Sequence, residues 1–313
     1  MWLIGGGIGV SFIDGAVSPD YRVYQLADTL EPRYIHHLLR SAPYRDQYRL
    51  LVRAETTFDR RITKEDFECL PVAMPPLAVQ RAIADYLDRE TARIDALIAA
   101  KKRLVELLEE RWQANRALLV LKNCNPISGV ARLPVSWQSR NLGATVTLQR
   151  GHDLPADDRI EGTVPVVSSG GISGWHNRAA CQPPGVVTGR YGTIGDTHYV
   201  DVPYWPLNTT LFVSDFRGND PRWVYHMLAA LPLSIDAEKS AVTGINRNVV
   251  GALKVPVPPR ATQETIAREL DQGYAQGEVM VRALAASVQL LRERRQALIT
   301  AAVTGQIDTP VAA

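Results

Sequence analysis

The sequence predicts an α+β protein in which mixed, β-rich domains alternate with two long helices that pair as an antiparallel coiled coil. Three observations predict it: a repeated segment, an amphipathic stripe behind each copy, and a Gly-, Val- and Thr-rich stretch between them. "LPVAMPPLAVQRAIADYLD" occupies residues 70–88 and "LKVPVPPRATQETIARELD" occupies residues 253–271. Leu70 aligns with Leu253 and Asp88 with Asp271, a constant offset of 183. Between those ends Val72/Val255, Pro75/Pro258, Pro76/Pro259, Gln80/Gln263, Ile83/Ile266, Ala84/Ala267 and Leu87/Leu270 are identical.

Each copy reads as a short strand, a Pro-Pro stop and a helix. Apolar residues alternate in "LPVAMPP" and "LKVPVPP", and Pro76 and Pro259 suit a helix N-terminal boundary. After the first stop, Ile83, Leu87, Ile94, Leu97, Leu104 and Leu108 fall at threes, fours and sevens. After the second, Ile266, Leu270, Val281, Leu284, Val288, Leu291 and Leu298 do the same. This is the stripe of an amphipathic helix near heptad spacing, with charges on the other faces ("KKRLVELLEERWQ", "LLRERRQ"). Helices are expected over Leu77–Leu121 and Thr262–Ala302, the first roughly 65 Å long at 1.5 Å per residue. A helix that long with one narrow stripe needs a partner, and the second copy supplies it. Ile94 and Leu97 are expected to be buried against that partner. A helical hairpin inside a larger core is the alternative, but the repeat extends upstream: "PRYIHHLL" (32–39) matches "PRWVYHML" (221–228), with His37 over His226 and Tyr34 over Trp223.

Composition bounds the rest. The chain of 313 residues is long enough for about two domains, and 46% hydrophobic with 22% charged residues is an ordinary globular balance. No apolar run approaches the ~20 residues of a membrane span, and the start "MWLIGGGIGVSFIDG" is a poor signal peptide. Cys69, Cys124 and Cys181 are far apart and form no CxxC pair, which argues against a disulfide scaffold or zinc site and fits a cytoplasmic protein. A net charge of +2 does not by itself point to nucleic acid.

Residues 133–258 form the complete globular segment. "VPVVSSGGISGWHN" (164–177) reads as a strand followed by a polar, glycine-rich loop carrying Trp175, His176 and Asn177. "PGVVTGRYGTIGDTHYV" (184–200) reads as two strands about a tight turn with Arg190 and Tyr191. "AVTGINRNVV" (241–250) presents Thr243, Asn246, Arg247 and Asn248 on an expected loop.

Taken in order, "LP-x2-W", "SSGGISG", "GRYGTIG", a "W-x-LN-TT" strand, "GIN" and "L-x-VPVPP-x-x-x-Q" resemble the specificity subunits of type I restriction–modification systems. The resemblance covers essentially the whole chain. It implies target-recognition domains, each reading one half of a bipartite double-stranded DNA site, held apart by paired helices that dock the methyltransferase subunits. The domains follow as 1–70, part of a first recognition domain; 71–122, the first helical spacer; 133–258, the second recognition domain; and 259–305, the second spacer. It implies a DNA-binding set of Ser168, Ser169, Ser173, Trp175, His176, Asn177, Arg190, Tyr191, Thr193, Thr243, Asn246 and Arg247. Within it Arg190 suits guanine, Asn177 or Asn246 adenine, and Thr193 or Thr243 phosphates or base edges. Arg190 could equally clamp a turn, and Trp175 and His176 could equally be core. Residues 133–258 hold ten Lys+Arg and ten Asp+Glu, so specificity has to come from particular loops rather than from an overall field.

Catalysis is not expected of this chain. There is no GxxxxGK[ST] loop, no Asn-Pro-Pro-aromatic motif, no acidic-x-Lys pair and no histidine at metal-ligand spacing. No cofactor is expected on it, while methyltransferase and restriction subunits would use S-adenosylmethionine, ATP and Mg. The sequence departs from the family pattern before the first Pro-Pro, where residues 1–70 lack counterparts of "W-x-x-x-x-LG" and "SSGGISGWHN". A shortened first domain is therefore expected, with unpaired strand edges that favour self-association. A non-reading assembly factor or decoy that binds modification subunits is the alternative function.

Overall fold

The computed structural model describes residues 7–18, 21–52, 62–129, 132–235 and 244–307. In chain order come α1 (Pro32–Leu39), α2 (Ala42–Leu51), α3 (Lys64–Glu68) and α4 (Leu77–Leu121). Then follow β1 (Gln138–Asn141), α5 (Leu142–Thr145), β2 (Thr147–Arg150), β3 (Val164–Ser168), β4 (Gly171–His176), β5 (Gly185–Gly189) and β6 (Thr197–Val200). Last are β7 (Trp205–Pro206), β8 (Thr210–Asp215), α6 (Pro221–Ala230), α7 (Arg247–Gly251), β9 (Lys254–Val257) and α8 (Arg260–Val303). The fold is α+β, and the two long helices start and stop within two residues of their expected bounds. Two compact units result: Met1–Val105 with Val281–Ala313, and Glu106–Met280. The division crosses both long helices, so each unit owns a part of each.

In the first unit the parts of α4 and α8 run antiparallel. Ile83, Ala84 and Leu87 share a core with Ile299, Ala302 and Val303, and further along α4 Asp95 meets Arg295 at 3.0 Å. In the second unit Val120 and Leu121 share a core with Ile266, Ala267 and Leu270, and Trp112 packs on Tyr274. Both units thus show the coiled-coil direction that the stripes predict. The stripe is narrower than expected, however. Ile94 is buried, but Leu97 is 47% exposed and Leu104 42%. A seven-residue pattern drifts by about 20° per heptad on a straight helix. Leu97 therefore leaves the seam that Ile83, Leu87 and Ile94 define.

The strand expected in the first copy does not form. Residues 71–73 have no strand partner among the described residues; instead the Tyr44 and Tyr34 hydroxyls donate to the Pro71 and Ala73 carbonyls at 2.7 and 3.0 Å. In the second copy β9 has its partner. It pairs antiparallel with β1, with Gln138 opposite Val257 and Asn141 opposite Lys254.

The repeat is most exact where a short helix is anchored to a long one. In the second unit Arg222 donates to Asp271 at 2.8 and 2.6 Å, and His226 bonds the same carboxylate at 2.9 Å. In the first unit Arg33 and His37 meet Asp88 at 3.0 and 2.9 Å. Gln263 accepts from the Asp220 amide and donates to the Pro258 carbonyl. Gln80 accepts from the Glu31 amide and donates to the Pro75 carbonyl. Trp223 and Tyr34 fill the two equivalent core positions at 0% exposure. Identity across the repeat thus records buried polar groups that must be satisfied, as well as apolar packing.

Candidate nucleic-acid interface

The second unit builds a four-stranded antiparallel sheet in the order β2–β8–β5–β6 and a three-stranded sheet in the order β4–β3–β7. Central β5 is buried along its whole length because both faces are covered. Loops leaving the ends of β3 and β5 are therefore mounted on rigid strands.

Two of those loops converge with the segment before α7. Beyond β5, the Arg190 and Tyr191 amides both donate to the Thr209 carbonyl, at 2.9 and 3.1 Å. The Arg190 carbonyl accepts from the Ile245 amide at 3.0 Å, which ties the segment before α7 to the same turn. Gly244 is required there, since a Cβ on it would lie 2.3 Å from the Tyr191 ring. On the other side, the β3–β4 turn at Ser169 and Gly170 abuts the β5–β6 loop. Thr193 Oγ1 stands 3.7 Å from where a Gly170 Cβ would sit, and His198 Nε2 bonds the Ser169 carbonyl at 3.0 Å. The Arg190 guanidinium stacks over the Tyr191 ring at 4.4 Å and, among the described residues, pairs with no carboxylate. A stacked, uncommitted guanidinium offers its planar fork for bidentate recognition.

The structure thus gathers Ser168, Ser169, Arg190, Tyr191, Thr193 and the 244–247 segment, and separates them from Trp175 and Asn177. Residues 171–176 are a strand rather than the expected loop, because Ser169-Gly170 closes a two-residue hairpin. Trp175, opposite Pro165 and 54% exposed, lies with exposed Asn177 toward the far end of that hairpin. His176 is buried: its Nδ1 accepts from the Ile160 amide at 3.1 Å and its ring meets Trp205 edge-on. It is a packing residue. Ser173 Oγ donates to the Val166 carbonyl at 3.3 Å, and Ser168 Oγ to the Gly171 carbonyl at 3.0 Å.

The expected loop at 241–250 is also partly helix. Arg247 opens α7, and Asn246 is its N-cap, its side-chain oxygen accepting from the Asn248 amide at 3.0 Å. That bond takes one of the two lone pairs of the Asn246 oxygen and fixes the amide against the start of α7. Thr63 holds the same capping place for α3, one repeat offset upstream, accepting from Asp66. Thr243 lies outside the described residues. Sequence reasoning missed His198 and Arg159, whose guanidinium donates to the Ser173 carbonyl at 3.2 Å. His198 lies in the strand after the Arg190 turn and Arg159 in no quoted segment, and only the tertiary fold brings them to Ser169 and Ser173.

The anchor beneath this sheet is electrostatically set. Burial holds His226 down to about 4, outweighing the Asp271 hydrogen bond, so the ring is neutral and donates through Nε2. Burial pushes Asp271 up, but its bonds from Arg222 and His226 prevail and leave it below the usual carboxylate value. Among the described residues no group of three or more His, Cys, Asp or Glu could hold a metal ion, and no helix is long and apolar enough to cross a membrane.

This is the architecture of a repeat protein whose β-rich domain is clamped to a helical spacer. No protein-family model matches the sequence. Over 202 residues it is 24% identical to the specificity subunit of the type I restriction enzyme EcoprrI of Escherichia coli, covering 63% of this chain and 48% of that one. Over 117 residues it is 27% identical to the StySPI specificity subunit of Salmonella potsdam, covering 37% and 25%, and over 88 residues 35% identical to that of EcoBI of Escherichia coli, covering 28% and 19%. The chain spans about half or less of the length of these curated relatives. Among solved structures, one described under complex assembly and conformational transition of the type I R-M system matches 90% of this chain and 73% of its own, with a TM-score of 0.76 at 19% identity. The HsdS subunit from Thermoanaerobacter tengcongensis matches 90% and 72%, with a TM-score of 0.53 at 20% identity. At such identities the structures establish the fold. All three of these curated relatives are specificity subunits of type I restriction enzymes.

Proposed function

We propose that this chain is the DNA-specificity subunit of a type I system, and that residues 133–258 read one half of a bipartite target. The observation that carries the reading is the convergence of the β3–β4 turn, the β5–β6 turn and the segment before α7 around the stacked Arg190–Tyr191 pair. Arg190 and Thr193 are the base- and phosphate-contacting candidates at that convergence; Trp175 and Asn177 form a separate contact along the hairpin. Asn246, His176 and Ser168 support the loops. Helices α4 and α8 serve as the dock for methyltransferase subunits, which bring S-adenosylmethionine chemistry, while a restriction subunit brings ATP and Mg. On this reading the chain itself performs no catalysis and binds no cofactor. The test is binding of target and unrelated duplexes by the complex with methyltransferase subunits, wild type against Arg190→Ala. The reading requires discrimination by the wild type that the variant loses in part. A wild-type complex that binds both duplexes equally would refute it.

A further inference from the structure

The proposed DNA-reading unit is not where the chain keeps its positive charge. Residues 106–280 hold 16 Lys+Arg against 17 Asp+Glu, whereas the rest of the chain holds 19 against 16. In the first unit a cleft of about 560 Å³ is lined by Arg40, Arg45, Lys102, Arg292 and Arg295, with Asp95 and Glu293 as its carboxylates. This local excess of three cations equals the excess of the whole unit.

The carboxylates are already engaged. Arg295 holds Asp95 through contacts of 3.0, 3.2 and 3.1 Å, and Glu293 accepts from Gln289 at 2.9 Å. Arg40 finds only a neutral partner, donating to His36 Nε2 at 3.2 Å. Burial, with Arg40 and His37 nearby, holds His36 down to about 4, so it accepts rather than repels. Burial lowers Arg40 as well, and Arg295 and Arg45 add to the effect. Arg40 is thus held beside Arg45 and Arg295 without a carboxylate of its own among the described residues, an arrangement that an incoming anion relieves.

A protein that reads DNA through a neutral domain still needs cations that neutralise phosphates, because that term supplies most non-specific affinity. We infer that the cationic cleft between the α1–α2 corner and the paired helices of the first unit grips backbone phosphates of duplex DNA, an inference resting on the DNA-reading role proposed above. Lys102 and Arg292 are exposed and, among the described residues, enter no ion pair, so they are the natural phosphate contacts.

The experiment uses the complex of the full chain with its methyltransferase subunits, wild type against Lys102→Gln/Arg292→Gln. Affinity for target and for unrelated duplex is measured across a salt series, and subunit stoichiometry by mass photometry. Each lost phosphate contact lowers the slope of log K against log salt by about 0.9, so the double variant should lose about 1.8 on both duplexes. Stoichiometry and target preference should be unchanged. An unchanged slope overturns the inference while leaving the reading role intact. A variant that loses methyltransferase subunits also overturns it, since the cleft would then seat an acidic protein surface. A wild-type complex without sequence preference overturns the role on which the inference rests.

Discussion

Replacing Asp271 with alanine removes the acceptor of three hydrogen bonds, two from Arg222 and one from His226. His226 is the costly loser, because its side chain is only 2% exposed and its Nε2–H would be left buried without a partner. An unsatisfied buried donor costs about 1–3 kcal/mol, and hydrogen bonds to charged groups contribute about 1.5–3. Arg222 and Asp271 are each about a third exposed, so water recovers part of that energy for the ion pair. The net loss should be about 2–3 kcal/mol. The equivalent change, Asp88→Ala, should cost less, about 1–2 kcal/mol, because Arg33 keeps Glu31 and Asp85. Hydrogen exchange read by mass spectrometry separates the two, since amides of α6 and α1 report the local opening free energy of each anchor. Protection should fall more in α6 for Asp271→Ala than in α1 for Asp88→Ala. Equal losses, or a loss in α6 below about 0.5 kcal/mol, the range of an ordinary surface change, would refute the anchor argument.

Arg190→Ala should weaken target binding by about 1–3 kcal/mol and unrelated duplex by less, as a fluorescence-anisotropy titration would read; equal weakening would make Arg190 a phosphate contact. Gly244→Ala should disturb the reading loops without removing a polar group, since the new Cβ would meet the Tyr191 ring, and target preference should fall with the urea midpoint little changed. Leu87→Ala, at a fully buried seam position, should cost about 2–5 kcal/mol, whereas Leu97→Ala should stay within about 0.5 in urea melts. Neutral His226 also makes the second unit acid-sensitive. Its folded value near 4 lies below the reference 6.5, so the unfolded chain takes the proton first and stability is lost as pH falls between those values. His226→Gln should flatten that loss in tryptophan-fluorescence melts, for which Trp112, Trp137, Trp175, Trp205 and Trp223 all lie in the second unit.

The long helices were legible because a 45-residue stripe with Pro-Pro stops admits few other readings. The anchor was half legible. Gln80/Gln263 and Asp88/Asp271 stand out as identities, but their role needs Arg33 and Arg222, which lie about 50 residues upstream in a short helix. The strand expected at 71–74 failed for the same kind of reason: a strand needs a neighbour, and β1 provides one only to the second copy. The capping role of Asn246 had a signal in the sequence, since Thr63 occupies the equivalent cap one repeat offset upstream. His176 could not have been read, because Trp205 and the Ile160 amide that claim its ring are distant in sequence. Charge was legible only as a total; the fold decides that the cations of three separate segments meet in one cleft.

The central claim is that the loops around Arg190 determine which sequence is modified. Methylation mapping tests it most directly, in cells expressing this chain with its methyltransferase subunits, wild type against a variant carrying Arg190→Ala, Tyr191→Ala and Thr193→Ala. The account predicts a defined motif for the wild type and, for the variant, degeneracy confined to a few base pairs of that motif while the complex still assembles. An identical motif from an equally active variant would contradict it.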